Sequence, residues 1–249
     1  MVSALQAMCQ RRVRNDDHWH RLWKTMVIAS IGGAGMRAQK RSAVEFVPEE
    51  NSLSAARSAA ARCRGCLLWQ AATQTVFGEG PPDARVMLVG EVPGDQEDRA
   101  GRPFVGPAGR LLDRALEAAG VERGDAYVTN AVKHFKWEPR GKRRLHRRPT
   151  PAEIDACRPW LSREIELVRP LVLVCLGATA SQALLGRAFR VSEERGKFIP
   201  SALAPYVIAT IHPSALLRLA DERARAAEMQ RFISDLELVR GVLAAEHAS

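Results

Sequence analysis

Four short apolar runs, rich in β-branched residues, recur through the middle of the chain. They read ARVMLVG, DAYVTNAV, PLVLVCLG and PYVIATI, at residues 84–90, 125–132, 170–177 and 205–211. Runs of this length and composition are typical of strands that are buried on both faces, and helical patterns separate most of them. The alternation predicts an α/β fold, a three-layer α/β/α sandwich around a mostly parallel four-stranded sheet.

Cap residues bound the helices between these runs. The stretch AGRLLDRALEAAG ends at Gly120, a residue type that favours a left-handed C-terminal cap. The next helix begins after Thr150, with Pro151 in its first position and Glu153 placed to complete a capping box. Further helices are predicted for ATASQALLG and for the amphipathic C-terminal segment that starts at residue 221.

The first fifty residues do not share this alternation. They join a charged, Trp-containing stretch to MVIASIGGAG, whose length and ending do not make a convincing signal peptide. We predict a poorly ordered N-terminal extension over residues 1–50 and one domain, with a C-terminal helix, over residues 51–249. Met36 is an alternative start of translation, which the intact mass of the native protein would decide.

The balance of charge narrows the range of partners. Lys and Arg total 37 against 28 acidic residues, a formal charge of +9, and this excess indicates a polyanionic partner, with nucleic acid first. No apolar run approaches the roughly 20 residues of a membrane span, so no membrane partner is expected. Five cysteines, two of them in CRGC, fit a metal site in a reducing compartment better than a disulfide framework, and the expected location is the cytoplasm.

Polar residues follow three of the predicted strands at their carboxyl ends, where parallel sheets bind ligands. Glu91 follows the first strand, Asn130 lies near the end of the second, and His212 follows the fourth. A buried, hydrogen-bonded amide or imidazole is the structural alternative for Asn130 and His212. Phe104 lies in the loop RPFVGPAG, where an aromatic ring either anchors a small core or stacks on a nucleobase. Glu97 is best explained as a solvated residue that compensates a helix dipole.

The segment RGKRRLHRRP, at residues 140–149, holds six Lys or Arg and one histidine. Such a run is usually a solvated patch that contacts phosphates, so we expect its cations to hold DNA and to make binding depend on salt. The DNA-binding candidates are Lys142, Arg143, Arg144, Arg147 and Arg148, and the wider stretch adds Lys133, Lys136 and Arg140. His146 is most often one more phosphate contact in such a setting. Neighbouring cations, however, lower the pKa of an imidazole and keep it neutral and nucleophilic.

Together these motifs resemble a known family. The stretches GEVPGDQEDRAGRPFVGPAGRLLD, YVTNAVKHFKWEPRGKRRLHRRPTPAEIDACRPWL and HPSALLR are similar to the UdgX-type branch of the uracil-DNA glycosylase superfamily, which is related to the iron–sulfur family 4 enzymes. The resemblance covers about residues 60–220, and KRRLH is its most discriminating part because ordinary family 4 enzymes lack this insertion. It implies excision of uracil from DNA, then attack of His146 on the sugar. The protein would remain covalently attached to the strand and act once.

The resemblance also implies a role for each site residue. Phe104 would stack on uracil, and Asn130 would pair with the edge of the base. His212 would stabilise negative charge on the departing uracil. Glu91 would stabilise the sugar cation and orient or deprotonate His146.

One position departs from the family pattern. Val92 stands in GEVPG where a glutamine is usual, and that glutamine is thought to help position the site. If the glutamine matters, the substitution Val92→Gln should increase adduct formation. An unchanged rate would show that it does not.

A second set of residues has the composition of a metal site. Cys63 and Cys66 form a C-x-x-C pair, Cys157 follows in IDACRPW, and His134 stands where family 4 enzymes have a further cysteine. Spacing alone also allows zinc held by three Cys and one His. The resemblance favours a structural [4Fe–4S] cluster with these four residues as ligands, and the alternative for His134 is a DNA-facing residue. Cys175, within LVLVCLG, is expected to be a buried apolar residue.

These observations leave three functions open. The leading one is a uracil-DNA glycosylase that becomes covalently linked to the abasic sugar through His146. The second is a turnover glycosylase that uses water, and the third is a non-catalytic iron–sulfur protein that binds damaged DNA. We expect a monomer whose partner is uracil-containing, single-stranded DNA.

Overall fold

The computed structural model describes residues 41–247. Residues 1–40 and 248–249, which include Met36 and most of the predicted extension, lie outside the described residues. The described part of that extension contacts the domain, since Ala43 is 1% exposed and its N–H donates to the carbonyl of Ala156 at 2.8 Å. The division of the chain at residue 50 stays a prediction.

A parallel sheet forms the centre of the fold. The strands of the described chain are β1 (Val86–Gly90), β2 (Ala126–Asn130), β3 (Trp137–Arg140), β4 (Arg143–His146), β5 (Val172–Leu176) and β6 (Tyr206–Thr210). Four of them form the sheet in the order β2-β1-β5-β6, and every neighbouring pair is parallel. Each of these four lies inside one of the predicted apolar runs. The predicted four-stranded sheet is therefore confirmed, and all of its described pairings are parallel.

Helices cover both faces of this sheet. In the described chain they are α1 (Leu53–Ala60), α2 (Asp95–Ala100), α3 (Pro107–Ala119), α4 (Pro151–Val168), α5 (Gly177–Leu185), α6 (Val191–Glu194), α7 (Ser214–Leu217) and α8 (Glu222–His247), with short 3-10 turns at Val44–Phe46, Leu67–Gln70 and Arg123–Asp125. The predicted caps are confirmed, because Gly120 ends α3 in the left-handed conformation and Thr150 forms a capping box with Glu153 before α4. No helix within residues 41–247 is both long and apolar enough to cross a membrane.

Apolar side chains pack on the two faces of the sheet. On one face, Leu88 belongs to a cluster with Leu112 of α3 and Phe232 of α8. On the other face, Met87 belongs to a cluster with Leu161 of α4. Successive residues of a strand point to opposite faces, so the two neighbours in β1 enter different cores. The predicted three-layer α/β/α arrangement is confirmed.

The basic run forms an antiparallel hairpin, a feature not predicted from the sequence. Its strands β3 and β4 pair Arg140 with Arg143 across a tight turn that contains Gly141. Gly141 has a φ of 59°, the left-handed conformation that such turns require and that glycine adopts without strain. The hairpin places His146 in the last position of β4, opposite Trp137.

Candidate active site

The carboxyl ends of β1 and β2 form the floor of the candidate site. Gly90 and Asn130 are paired in the register of these strands, and Asn130 is 3% exposed. A Cβ atom added to Gly90 would lie 2.4 Å from Oδ1 of Asn130 and 2.6 Å from Cζ of Phe104. Glycine at this position therefore allows the amide and the aromatic ring to approach each other. The two candidates for recognising a base lie side by side.

The loop after α2 holds Phe104 in an unusual conformation. Its φ is 57° and the residue is 7% exposed. A left-handed conformation costs a residue with a side chain about 1–3 kcal/mol, so surrounding contacts must enforce it. Gly109 allows one of them, because an added Cβ would lie only 1.7 Å from the carbonyl oxygen of Phe104. Such enforced strain is common in loops that bind ligands.

Glu97 links the N-cap residues of α2 and α3, the two helices that flank this loop. Its carboxylate accepts the N–H of Gly94 through Oε2 at 3.1 Å and the N–H of Gly106 through Oε1 at 2.9 Å. The residue is only 8% exposed. The interpretation of Glu97 as a solvated residue is therefore wrong, because both of its oxygens satisfy backbone donors at turns.

His212 faces Phe104 from the end of β6. Their rings are stacked, with centroids 6.1 Å apart and 27° between the planes. Nδ1 of His212 accepts the N–H of Ser214 at 3.2 Å, so the neutral ring carries its proton on Nε2. Burial chiefly, with smaller contributions from His146 and Arg218, lowers the pKa of His212 to about 4. At neutral pH His212 is thus an uncharged donor.

His146 lies over the side chain of Phe135 at the edge of the site. The ring centroids are 6.2 Å apart, and His146 is exposed whereas Phe135 is fully buried. Desolvation by the surrounding protein lowers the pKa of His146, the nearby Glu91 acts in the opposite direction, and Arg218 adds to the lowering. The imidazole is therefore neutral at neutral pH, the form that has a free lone pair.

Glu91 extends from the end of β1 toward the hairpin. Its side chain is 18% exposed, and Oε1 lies 3.5 Å from Nε of Arg148. Oε1 is buried and has no hydrogen-bond partner among the residues that the structure describes. Leaving such an oxygen unsatisfied costs about 1–3 kcal/mol or more for a charged group. An orphan acceptor of this kind is expected where a substrate or a transition state supplies the missing partner.

Arg144 points into the protein. Its Nε donates to Oδ1 of Asp95 at 2.5 Å and its Nη1 donates to Oδ2 of Asp98 at 2.6 Å. The guanidinium also lies over the rings of Phe135 and Trp137, at 5.2 and 5.5 Å from their centroids. Arg144 thereby ties the hairpin to α2. The prediction that it contacts DNA phosphates is not supported, because two carboxylates already pair its charge.

Other cations of the run face the surface, where DNA can reach them. The exposed cations are Arg140, Lys142, Arg143, Arg147 and Arg148. Arg147 also pairs with Glu138 at 2.5 Å, in an exposed position where such pairs are weak. Lys133, by contrast, is fully buried, and Lys136 donates to Glu153 at 2.8 Å. The prediction that Lys133 contributes to DNA binding is wrong, because burial separates its ammonium group from any polyanion.

The predicted cysteine ligands lie together in one apolar cluster. Cys63, Cys66 and Cys157 are 6%, 6% and 4% exposed, and all three are free thiols. Backbone N–H groups donate to two of the sulfurs, from Gly65 to Cys63 at 3.4 Å and from Lys133 to Cys157 at 3.3 Å. Hydrogen bonds of this kind to ligand sulfurs are one of the levers that tune iron–sulfur clusters. Outside this cluster, the prediction that Cys175 is a buried apolar residue is confirmed.

His134, the fourth predicted donor, borders the cysteine cluster. It is 5% exposed and lines the same surface cleft as Cys63. The hydroxyl of Thr75 donates to the carbonyl of Ala60 at 2.9 Å, so it accepts the Nε2–H of His134 at 2.9 Å and leaves Nδ1 unprotonated. Within residues 41–247, no three His, Cys, Asp or Glu side chains converge at metal-binding distance as they are oriented. Three buried thiols and a buried imidazole are donors of the kinds that metal sites use, and the ligand set stays a prediction.

The acidic partners of Arg144 and Lys133, the two cations that point inward, were not predicted from the sequence. Asp95 and Asp98 pair with Arg144, and Glu164 pairs with Lys133. For Asp95 and Asp98, the signal in the sequence was the density of acidic residues after β1. Glu164 lies within the regular pattern of α4 and carried no such signal.

Comparisons with known proteins agree with this geometry. Residues 77–237 match the family described as the uracil DNA glycosylase superfamily. The chain is 39% identical to a type-4 uracil-DNA glycosylase of Thermotoga maritima over 187 residues, which cover 74% of this chain and 91% of the relative. It is 38% identical to a type-4 uracil-DNA glycosylase of Sulfurisphaera tokodaii over 178 residues, 67% of this chain and 76% of the relative. A type-4 uracil-DNA glycosylase of Pyrobaculum aerophilum is 39% identical over 163 residues, 63% of this chain and 80% of the relative.

Proposed function

Because this chain belongs to the uracil DNA glycosylase superfamily, we propose that it excises uracil from DNA and then becomes covalently attached to the abasic sugar through His146. The uracil must leave the base stack, so single-stranded DNA is the preferred substrate. The position of His146 carries the proposal. The hairpin holds this residue at the edge of the site, close enough to Glu91 and His212 for Glu91 to raise the pKa of His146 and for His146 to lower the pKa of His212. Glu91 and His212 are the two candidates for the chemistry of excision.

In this proposal Phe104 and Asn130, at the floor of the site, recognise the base. The ring of Phe104 offers a stacking surface for a planar base, and the amide of Asn130 offers both a donor and an acceptor. The edge of uracil presents O4 and N3–H, which such an amide can pair with. Cytosine lacks the N3 proton and leaves the amide oxygen without a donor. Discrimination against cytosine follows from that unsatisfied group.

Excision breaks the bond between N1 of uracil and C1′ of the deoxyribose, and the electron pair leaves with the base. His212 directs its Nε2–H at the oxygen of the departing uracil, where negative charge develops. Its pKa of about 4 keeps the ring neutral at neutral pH. His212 therefore stabilises the anion by a hydrogen bond and does not protonate it.

Capture of the sugar completes the reaction. Loss of the base leaves positive charge on the sugar, which the orphan Oε1 of Glu91 stabilises. The neutral imidazole of His146 attacks C1′ and forms a carbon–nitrogen bond, and its remaining N–H proton passes to the carboxylate of Glu91. Because the new bond joins the sugar to the protein itself, each molecule acts once in this proposal.

The donors Cys63, Cys66, His134 and Cys157 hold a [4Fe–4S] cluster in this proposal. When bound, the cluster supplies a covalent cross-link between the loops that carry these ligands. Base excision involves no change of oxidation state, so the proposed role is structural. His134 lies close in sequence to Asn130, and Cys157 lies on α4. Their ligation therefore holds the recognition segment against the helix.

A denaturing gel tests the proposal directly. The protein is incubated with a single-stranded oligonucleotide that contains one uracil, and samples are run before and after alkali treatment. We expect a slow-migrating species that survives SDS and heat with the wild type and with Arg223→Ala, which changes an exposed residue of α8. It should be absent with His146→Ala and with a thymine oligonucleotide. Undiminished adduct in His146→Ala would refute covalent capture by this residue.

A turnover glycosylase is the second candidate, and the exposure of His146 favours it. Because the ring faces solvent, water also has access to the site. In that case alkali would cleave the strand in every sample while no slow-migrating species formed. An intact oligonucleotide after alkali treatment would leave DNA binding as the function.

A further inference from the structure

A fully buried ion pair lies directly behind the base-recognition residues. Nζ of Lys133 contacts a carboxylate oxygen of Glu164, and both side chains are 0% exposed. The same Nζ donates to the hydroxyl of Thr129 at 2.6 Å and to the backbone carbonyl of Asn130 at 2.7 Å. The three donors of the ammonium group thus have three acceptors. One of these acceptors belongs to the residue that is proposed to read uracil.

Glu164 is satisfied to the same degree. Its Oε1 accepts the N–H of Gly78 at 2.9 Å, the hydroxyl of Tyr127 at 3.0 Å and the hydroxyl of Thr129 at 2.9 Å. A Cβ added to Gly78 would lie 2.4 Å from Oε1, so the glycine allows the chain to approach the carboxylate. Burying two charges costs several kcal/mol per ion unless geometry and hydrogen bonds compensate. Here the hydrogen bonds compensate for the burial of both Lys133 and Glu164.

The buried ion pair contacts the chain where β2 ends and the next segment begins. β2 is an edge strand of the described sheet, and after Asn130 the chain leaves the ladder. The N–H of Ala131 donates to the carbonyl of Gly90 at 2.9 Å, and the N–H of Val132 donates to the carbonyl of Glu91 at 3.1 Å. These two hydrogen bonds attach the segment to the end of β1 and to Glu91, the residue that follows it. The Asn130 carbonyl, on the opposite side of the same peptide, is held by Lys133, so the ammonium group and the Gly90 carbonyl together hold that peptide from both sides.

The backbone of Lys133 is held as well. Its N–H donates to Sγ of Cys157 at 3.3 Å, and its carbonyl accepts the N–H of Val76 at 2.8 Å. Cys157 and Glu164 lie on the same helix, α4. Both the backbone and the side chain of Lys133 therefore join the recognition segment to this helix.

We infer that Lys133 and Glu164 are positioning residues for base recognition, which act by holding the backbone of Asn130 so that its amide meets the edge of uracil. The inference rests on the proposed excision of uracil and is independent of the covalent adduct. It also gives a reason why an ion pair is present where apolar residues of similar volume would be more easily buried. The pair supplies a donor to the Asn130 carbonyl, which an apolar residue would leave unsatisfied.

The test separates recognition of the base from folding and from DNA binding. In Lys133→Met/Glu164→Gln both charges are removed, so no unpaired charge stays buried. The control, Arg163→Met, removes a buried cation from the adjacent position of α4, where Arg163 contacts the carbonyl of Glu50. For each protein we would measure the melting temperature, the single-turnover rate of uracil excision, the inhibition constant of free uracil, and affinity for DNA with a tetrahydrofuran in place of the nucleotide.

We expect the double variant to lose roughly 10- to 100-fold in excision rate and to bind free uracil more weakly by a similar factor, because small displacements of recognition groups are this costly. Affinity for the tetrahydrofuran DNA should stay within about twofold, since phosphate contacts are unchanged. Wild-type rate and uracil affinity in the folded double variant would overturn the inference. The inference would also be overturned if the excision rate, the affinity for uracil and the affinity for the tetrahydrofuran DNA all fell together and Arg163→Met caused the same losses.

A milder variant covers the case in which the double variant does not fold. Thr129→Val keeps the shape and both charges but removes the hydroxyl that contacts Nζ and the carboxylate. We expect a smaller loss of uracil affinity in the same direction, and unchanged affinity would overturn the inference. A wild-type protein that excises no uracil would refute the proposed function itself, whereas equal excision by wild type and both network variants would refute only the inference.

Discussion

Nη1 of Arg144 lies 2.6 Å from Oδ2 of Asp98, and the carboxylate is fully buried. Arg144 and His146 are two residues apart on β4, so their side chains extend from the same face of the strand. Both contact the ring of Phe135, which lies beneath them. The ion pair with α2 therefore determines where the proposed nucleophile stands relative to the rest of the site.

Removal of this ion pair should impair capture of the sugar more than excision of the base. We expect Arg144→Met to lower the rate of adduct formation by about 10- to 100-fold, because the hairpin loses the contacts that fix His146. Excised but uncaptured strands, seen as alkali-labile product, should increase correspondingly. Arg223→Met, which changes an exposed arginine on α8, is the control. An unchanged ratio of adduct to alkali-labile strand in Arg144→Met would contradict this role.

Adduct formation should depend on the protonation of His146. Desolvation lowers the pKa of this imidazole from its ordinary 6.5, and only the neutral ring has a lone pair for attack. The rate should therefore be level at neutral and alkaline pH and fall as the pH drops through the lowered pKa. Initial rates measured between about pH 4 and pH 8 would show this rising limb. A midpoint above the ordinary value would mean that a different group, or a charged histidine, controls the step.

The exposed cations of the hairpin should contribute to DNA affinity through the release of counterions. For a single-stranded oligonucleotide, Lys142→Ala should lower the slope of log affinity against log salt by about 0.7, the contribution of one phosphate contact. Arg223→Ala, an exposed change on α8, serves as the control. Affinity would be measured by fluorescence anisotropy over a series of salt concentrations. Equal slopes for Lys142→Ala and wild type would exclude a phosphate contact at this residue.

Val92→Gln should destabilise the protein. Val92 is 6% exposed and packs in the same cluster as Cys63 and Trp160, where a buried amide that lacks partners costs about 1–3 kcal/mol. At this chain length each kcal/mol corresponds to about 2–4 °C in melting temperature. Val92→Ile tests the site with an apolar side chain and should change the melting temperature less. A glutamine variant that is as stable as wild type and forms more adduct would support the family pattern instead.

Loss of a cysteine ligand should remove the cluster. We expect Cys157→Ser, purified without oxygen, to contain less iron and to show weaker visible absorption than wild type, because serine is a poorer ligand for iron than thiolate. Cys175→Ser changes a buried cysteine outside the ligand set and should keep its iron. Iron-free wild-type protein after anaerobic purification would refute the cluster proposal.

Local patterns were enough to predict the sheet and the meeting place of the site residues. The strands lie inside the predicted apolar runs, and the caps at Gly120 and Thr150 are where the residue types indicated. Asn130, Phe104 and His212 were expected to converge because parallel strands end at one edge of a sheet. The structure brings the Phe104 ring to both of the others.

The sequence by itself determined these features because periodicity and caps depend on backbone geometry over a few residues, and because parallel strands that alternate with helices end at one edge of the sheet. Only the tertiary structure decided which charged groups face water. Lys133 and Arg144 belong to one cationic stretch and look alike in the sequence, yet both point inward. Their partners lie 31 and 46 residues away, at Glu164 and Asp98. A charge leaves the solvent only where packing brings a carboxylate and hydrogen-bond acceptors to it, and no local pattern records that arrangement.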